Sequence, residues 1–182
     1  MKNLISLIVS DLKNSTARQS YRAYLGTLLF SRKFQLLLLY RLGSSCHHRA
    51  FLKRNFNPLL TWIMGTFYGC EISFSAKIGR NVKFNHPIGI VIGQGVVIHD
   101  NVTIFQHVTL GSHGKQDLPW SYPTIHEGTI IYVKSSVLGN ITIGKNVIVG
   151  AHSLILESVP DNSKVVGIPG KVIGINEKVT PN

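Results

Sequence analysis

Large apolar residues recur at every sixth position between residues 72 and 155. The series runs Ile72, Ile78, Phe84, slips by two, and resumes at Ile92, Ile98, Ile104 and Leu110. After a longer break it continues through Ile125, Ile131, Val137, Ile143, Val149 and Ile155. Four residues after nearly every member stands a small or β-branched residue: Ala76, Val82, Val96, Val102, Val108, Thr129, Ser135, Ile141, Val147, Ser153 and Val159. This period fits neither an amphipathic helix nor an alternating strand. It predicts a hexapeptide β-helix, in which each unit supplies one short strand and one corner, three units close a triangular coil, and about five coils stack. The first residue of a unit points into the prism and the fifth fits near a corner. A β-sandwich rich in Val and Ile would need hairpin turns, and Asn-Gly is absent from the chain.

Charge divides the chain unevenly. Of the net +11, residues 1–71 contribute +8, from ten Lys and Arg against Asp11 and Glu71. A basic N-terminal part suits an anionic surface or ligand. The basic residues are not interleaved with aromatic platforms on a recognisable binding module, which argues against nucleic acid. Cys46 and Cys70 offer neither a disulfide framework nor metal-ligand spacing. The opening MKNLISLIVSDLK is broken by Asp11 and lacks a small-residue cleavage site, so it reads poorly as a signal peptide. No apolar run reaches membrane-spanning length. The expectation is a cytoplasmic protein, with peripheral contact to an anionic inner membrane face through the basic N-terminal part.

Four short helices are expected ahead of the repeats: 3–12, 17–30, the stretch KFQLLLLYRLGSS ended by Gly43, and 57–68 with Asn57 as cap and Pro58 in the first turn. The last is unusually apolar; burial against the first coil is its expected fate, ahead of contact with a membrane or partner. The organisation is then a helical region over 1–70, a β-helix over 71–174 and a loose tail over 175–182. Two places interrupt the count: FNHPIGIVIG, and SHGKQDLPWSYPT at 112–124. Breaks in a regular scaffold are where function concentrates.

The stretch HPIGIVIGQGVVIHDNVTIFQHVTLG, residues 86–111, resembles the active-site stretch of serine acetyltransferases, as do VLGNITIGKNVIVGAHSLILESVP and GIPGKVIG. The resemblance covers residues 71–174 and is weak before them. It implies a mainly β fold, a left-handed parallel β-helix with a short N-terminal α-helical region. It also implies a homotrimer with active sites between subunits, acetyl-CoA as cosubstrate and no metal. By the same resemblance His86 falls on the catalytic base and Glu71 on its carboxylate partner. A neutral imidazole can take the proton of an attacking hydroxyl, and a carboxylate would hold the ring and support its charged form. By coil arithmetic the two lie on neighbouring turns. Gly111, Ser112, His113, Gly114 and Lys115 are implied to flank the pantetheine end of acetyl-CoA. Gly150 and Ala151 would leave room for the pantetheine chain, and Lys171 would face the nucleotide phosphates.

The sequence departs from serine acetyltransferases where they hold the amino acid. Asn85 replaces an aspartate before the base, and Ser121, Tyr122 and Pro123 replace Arg-His-Pro. A zwitterion needs both charges matched, and an unpaired charge in a partly dry cleft is costly. Asn85, Tyr122 and Trp120 suit a neutral sugar hydroxyl with an apolar face. The expectation is therefore a sugar acceptor, as in the acetyltransferases of bacterial capsule and exopolysaccharide, with serine O-acetylation as the alternative. A zinc enzyme resembling γ-type carbonic anhydrases, using His107, His113 and His86, is a remote alternative because three converging ligands are needed. A non-catalytic scaffold is another.

Overall fold

The computed structural model describes residues 2–16, 18, 20–47, 50–114 and 121–176. Among these described residues four helices come first: α1 (Lys2–Ser15), α2 (Tyr21–Phe30), α3 (Arg32–His47) and α4 (Ala50–Tyr68). Fifteen short strands follow on three faces. The first face carries β1 (Glu71–Ile72), β4 (Val91–Ile92), β7 (Thr109–Gly111), β10 (Ser136–Leu138) and β13 (Leu154–Ile155). The second carries β2 (Lys77–Ile78), β5 (Val97–Ile98), β8 (Thr124–Ile125) and β11 (Thr142–Ile143). The third carries β3 (Lys83–Phe84), β6 (Thr103–Ile104), β9 (Ile130–Ile131), β12 (Ile148–Val149), β14 (Ser163–Val166) and β15 (Lys171–Ile175).

All ladders are parallel except β14 with β15, an antiparallel hairpin that closes the last coil. The register stacks like on like: Ile72 on Ile92 on Leu110, Ile78 on Ile98 on Ile125, Phe84 on Ile104 on Ile131. Every first-position residue of the series is buried, and so are the fifth-position residues apart from the partly buried Ile141. Where the fifth residue is polar, the next coil satisfies it. Thr129 Oγ1 donates to the Gly144 carbonyl at 2.8 Å and accepts from the Val147 N–H, and Ser135 Oγ donates to the Gly150 carbonyl at 2.8 Å. A buried hydroxyl without such a partner would be destabilising.

The helices differ from the sequence expectation in their limits. Helix α3 runs through Gly43 to His47; the glycine serves packing rather than ending the helix, because the Phe74 ring occupies the space a side chain there would fill. Helix α4 starts at Ala50, so Pro58 lies in its interior and Asn57 is a buried helical residue rather than a cap. Nor is α4 buried as a whole: Met64 enters the core while Leu59, Trp62 and Phe67 are more than half exposed. Helix α2 starts at Tyr21, capped by Ser20, whose Oγ accepts from the Ala23 N–H. No helix among the described residues is long and apolar enough to cross a membrane. At the other end Ile175 still belongs to β15, and Asn176 is buried, donating to the Asn146 carbonyl at 2.7 Å. Ile175 and Asn176 thus do not belong to a loose tail, and the remaining positions of the expected tail, 177–182, lie outside the described residues.

A buried ion pair fixes the helices to the first coil. Arg41 of α3 donates to Asp11 of α1 at 2.9 Å and to the Ile78 and Gly79 carbonyls. Asp11 also accepts from the Asn81 N–H at 3.2 Å. Tyr40 adds a hydrogen bond to the Ala76 carbonyl at 2.6 Å, and burial raises its hydroxyl pKa.

Candidate active site

The first break in the repeat is the connection over 85–90, at the corner between the third and first faces. Consecutive first-face strands β4 and β7 are eighteen residues apart, whereas β1 and β4 are twenty apart. The two extra residues swell this corner. It is held from both sides: the Gly89 N–H donates to the Gly69 carbonyl, and the His107 N–H donates to the Ile88 carbonyl, each at 2.9 Å. Gly89 has φ +64°, and the His107 ring lies where its side chain would be, so glycine is required there twice over. Pro87 and Ile90 are buried, which leaves His86 outward and exposed at φ 51°.

His86 lines a cleft of about 450 Å³ with Pro87, Ile88 and the junction of α2 and α3, Phe30 to Lys33. Lys33 Nζ donates to Asn85 Oδ1 at 2.8 Å. Arg32 is occupied elsewhere, donating to the Phe67 carbonyl at 2.7 Å and lying over the Tyr68 ring. Glu71 is exposed at the head of β1, and its N–H donates to the Ile90 carbonyl where the connection ends. The coil arithmetic therefore brings Glu71 beside the segment that carries His86. Among the described residues no ion pair joins the two side chains. Cys70, next to Glu71, is buried with its thiol pKa raised mainly by burial, which disfavours a reactive thiolate.

The second break lies between β7 and β8, at the corner of the first and second faces. Gly111 pairs with Leu138, and Ser112, His113 and Gly114 are exposed beyond it. The His113 ring lies against Gly139. Lys115 and Trp120 fall outside the described residues. Ser121 is buried, and the Tyr122 ring lies across Gly93 and Gly95. One face of Tyr122 is thus already covered, which limits its expected use as a stacking platform. His86 and Tyr122 sit at opposite edges of the first face, so one protomer does not bring them together.

Gly150 and Ala151 sit on the same corner as His86, several coils on. The Val166 side chain lies where a side chain at Gly150 would be; Gly150 itself is half-buried and Ala151 is exposed. Lys171 is exposed at the start of β15. His107 and His113 flank β7 on opposite edges of the first face, and the described residues contain no group of three His, Cys, Asp or Glu able to hold a metal. One side chain at the cleft is not singled out by sequence: Lys33, which has no periodic signal. His107, Lys134 and His152 share a left-handed backbone at the fourth position of successive units along this corner, where Gly89 stands one coil below; His86 is left-handed too but lies inside the break, off that count.

Residues 122–157 match the family described as bacterial transferase hexapeptide (six repeats). A serine acetyltransferase of Buchnera aphidicola is 34% identical over 173 residues, covering 94% of this chain and 62% of that protein. A serine acetyltransferase of Bacillus pumilus is 39% identical over 159 residues, covering 86% of this chain and 71% of that protein. The chain thus spans under two thirds of the Buchnera relative's length. Among solved structures, the serine acetyltransferase of Brucella abortus superposes with a TM-score of 0.85 at 27% identity, covering 96% of this chain and 70% of that one; the same protein has been crystallised with coenzyme A. The fold is accordingly a left-handed parallel β-helix behind an N-terminal helical region. With nearly two fifths of positions shared with the Bacillus pumilus protein and 71% of its length covered, the chain belongs to the serine acetyltransferase family.

Proposed function

We propose that the chain transfers the acetyl group of acetyl-CoA to a hydroxyl, with His86 as general base. The observation that carries this reading is an exposed histidine on the enlarged corner, aligned by resemblance with the family's base and facing a cleft. The hydroxyl oxygen bonds to the acetyl carbonyl carbon, its proton passes to the His86 imidazole, the C–S bond breaks, and the CoA thiolate recovers the proton. Glu71 acts through His86, orienting the ring and supporting its charge. Because Tyr122 and His86 occupy opposite edges of one face, a site using both draws them from neighbouring protomers, in keeping with a closed homotrimer. Acetyl-CoA would run along that junction past Gly111 to Lys115, Ala151 and Lys171.

The names of the relatives favour L-serine as acceptor over the sugar expected from the sequence. A sugar is supported by one observation only: Asn85 is neutral and bound by Lys33, a poor setting for an ammonium group. Steady-state assays with acetyl-CoA, L-serine and a saccharide panel test this. Turnover of serine is expected; transfer to saccharides alone would return the acceptor to the sugar class. His86→Ala should lower turnover about a hundredfold to ten-thousandfold while leaving CoA binding intact. Near-normal turnover in that variant would remove His86 from the mechanism.

A further inference from the structure

The two charged side chains that line the cleft with His86, Arg32 and Lys33, can only donate. Lys33, the second residue of α3, reaches Asn85 Oδ1 at 2.8 Å across fifty-two positions of sequence. An ammonium group can only donate, so it fixes which end of the Asn85 amide faces it. The amide oxygen is taken, and the amide NH₂ is the end left for a ligand. No carboxylate lies within ion-pair distance of Lys33 among the described residues, and the cleft is lined by Arg32, Lys33 and His86 with no acidic side chain. Since Arg32 is held by the Phe67 carbonyl and the Tyr68 ring, Lys33 is, among the described residues, the cation left facing the cleft beside the base.

We propose that Lys33 selects the acceptor by a carboxylate, so that the acetylated hydroxyl belongs to a small molecule that also carries that group. The inference rests on the acetyl-transfer reading and narrows it. The Lys33 ammonium and the Asn85 NH₂ bind the two carboxylate oxygens, and the hydroxyl is presented to His86. An ammonium on the acceptor gains nothing from these partners. Recognition therefore depends on the acid and not on the amine, which accommodates serine through its carboxylate alone and a uronic acid equally well. A lysine contact on a carboxylate has the strength of a hydrogen bond to a charged group.

Matched acceptor pairs test it: L-serine against L-serinamide, and D-glucuronate against D-glucose, each with acetyl-CoA. The carboxylate member of the accepted pair should have the higher kcat/KM by roughly ten- to a hundredfold. Lys33→Met should raise KM for that member by a similar factor, leave kcat within a few-fold, and abolish the preference; Lys33→Arg should restore most of it. Lys33 is exposed, so the variants should fold normally. Equal use of both members, or an unchanged KM in Lys33→Met, overturns the proposal while sparing acetyl transfer. Calorimetric binding of the same four compounds to His86→Ala protein with CoA separates the two readings. Carboxylate-dependent binding without turnover in the unmodified protein would keep the Lys33 site and sink acetyl transfer. Neither binding nor turnover would sink both.

Discussion

In the inner coils of the β-helix a buried first-position residue lies between others of its kind, whereas the helical region meets the first coil through contacts that occur once. Ile104 has Phe84 below and Ile131 above, and the same environment returns coil after coil. The helices instead depend on Arg41, Asp11, Tyr40 and a small apolar set including Phe34, Leu36, Leu37 and Met64. They leave Tyr21, Phe30, Phe51, Trp62 and Phe67 more than half exposed. A repeated interface distributes stability over many equivalent contacts, so that each coil depends mainly on its neighbours. A unique interface concentrates it, and one substitution can undo the contact.

The sharpest way to break this comparison is Arg41→Met. It removes the partner of a carboxylate whose side chain is 1% exposed. Removing one member of a buried pair destabilises by about 3–5 kcal/mol. The helical region should lose its structure in urea before the β-helix does, seen as an early loss of helical circular dichroism. One coincident transition in that variant would show that the two regions unfold as a unit. Next in size is Ile131→Ala, in the middle of the third face. A fully buried isoleucine cut to alanine costs about 2–5 kcal/mol, and here the loss should appear in the later, β-helix transition. A shift of the helical transition instead would contradict the separation.

Smaller again is Thr129→Val. The methyl replaces a hydroxyl of similar shape but leaves the Val147 N–H and the Gly144 carbonyl without the partner the hydroxyl provided. An unsatisfied buried group costs about 1–3 kcal/mol. If Thr129→Val is as stable as the parent, the polar fifth positions are fillers and not links between coils.

The same contrast explains what could be read from sequence. Stacking in a β-helix is encoded locally, since each six-residue unit carries its own core residue and its own corner. The strands, the inward residues and both breaks follow from counting. Burial of Arg41 against Asp11 follows from no local pattern, because the two lie thirty residues apart and each reads as an ordinary surface charge. Gly43 reads as a helix stop until Phe74 is seen beside it. The candidate site divides in the same way. His86 is legible because it interrupts the period. Lys33 comes from the non-periodic region, and Tyr122 lies at a different corner from His86, a separation that only the path of the chain reveals.

The smallest expected effect is the most direct control on the comparison, because it holds the chemistry fixed and changes the surroundings. Lys145 and Glu127 form an ion pair at 2.8 Å, about the separation of Arg41 and Asp11, but their side chains are 50% and 51% exposed. The hydrogen bond and charge of Lys145 hold the Glu127 carboxyl below its usual pKa, and those of Glu127 hold the Lys145 ammonium above its own. A lowered carboxyl pKa contributes stability above its unfolded value and loses it as pH falls through the folded one. A raised ammonium pKa contributes below its unfolded value and loses it as pH rises through the folded one. The pair therefore acts only between those limits, around neutral pH. Water and salt screen it there, as they do most exposed pairs. Glu127→Gln should leave the urea midpoint unchanged within error at pH 7, and any small difference should vanish at acid pH and at high salt. A loss comparable to that of Arg41→Met would mean that the contact itself, and not its burial, sets the strength of both pairs. The helical anchor would then need another explanation.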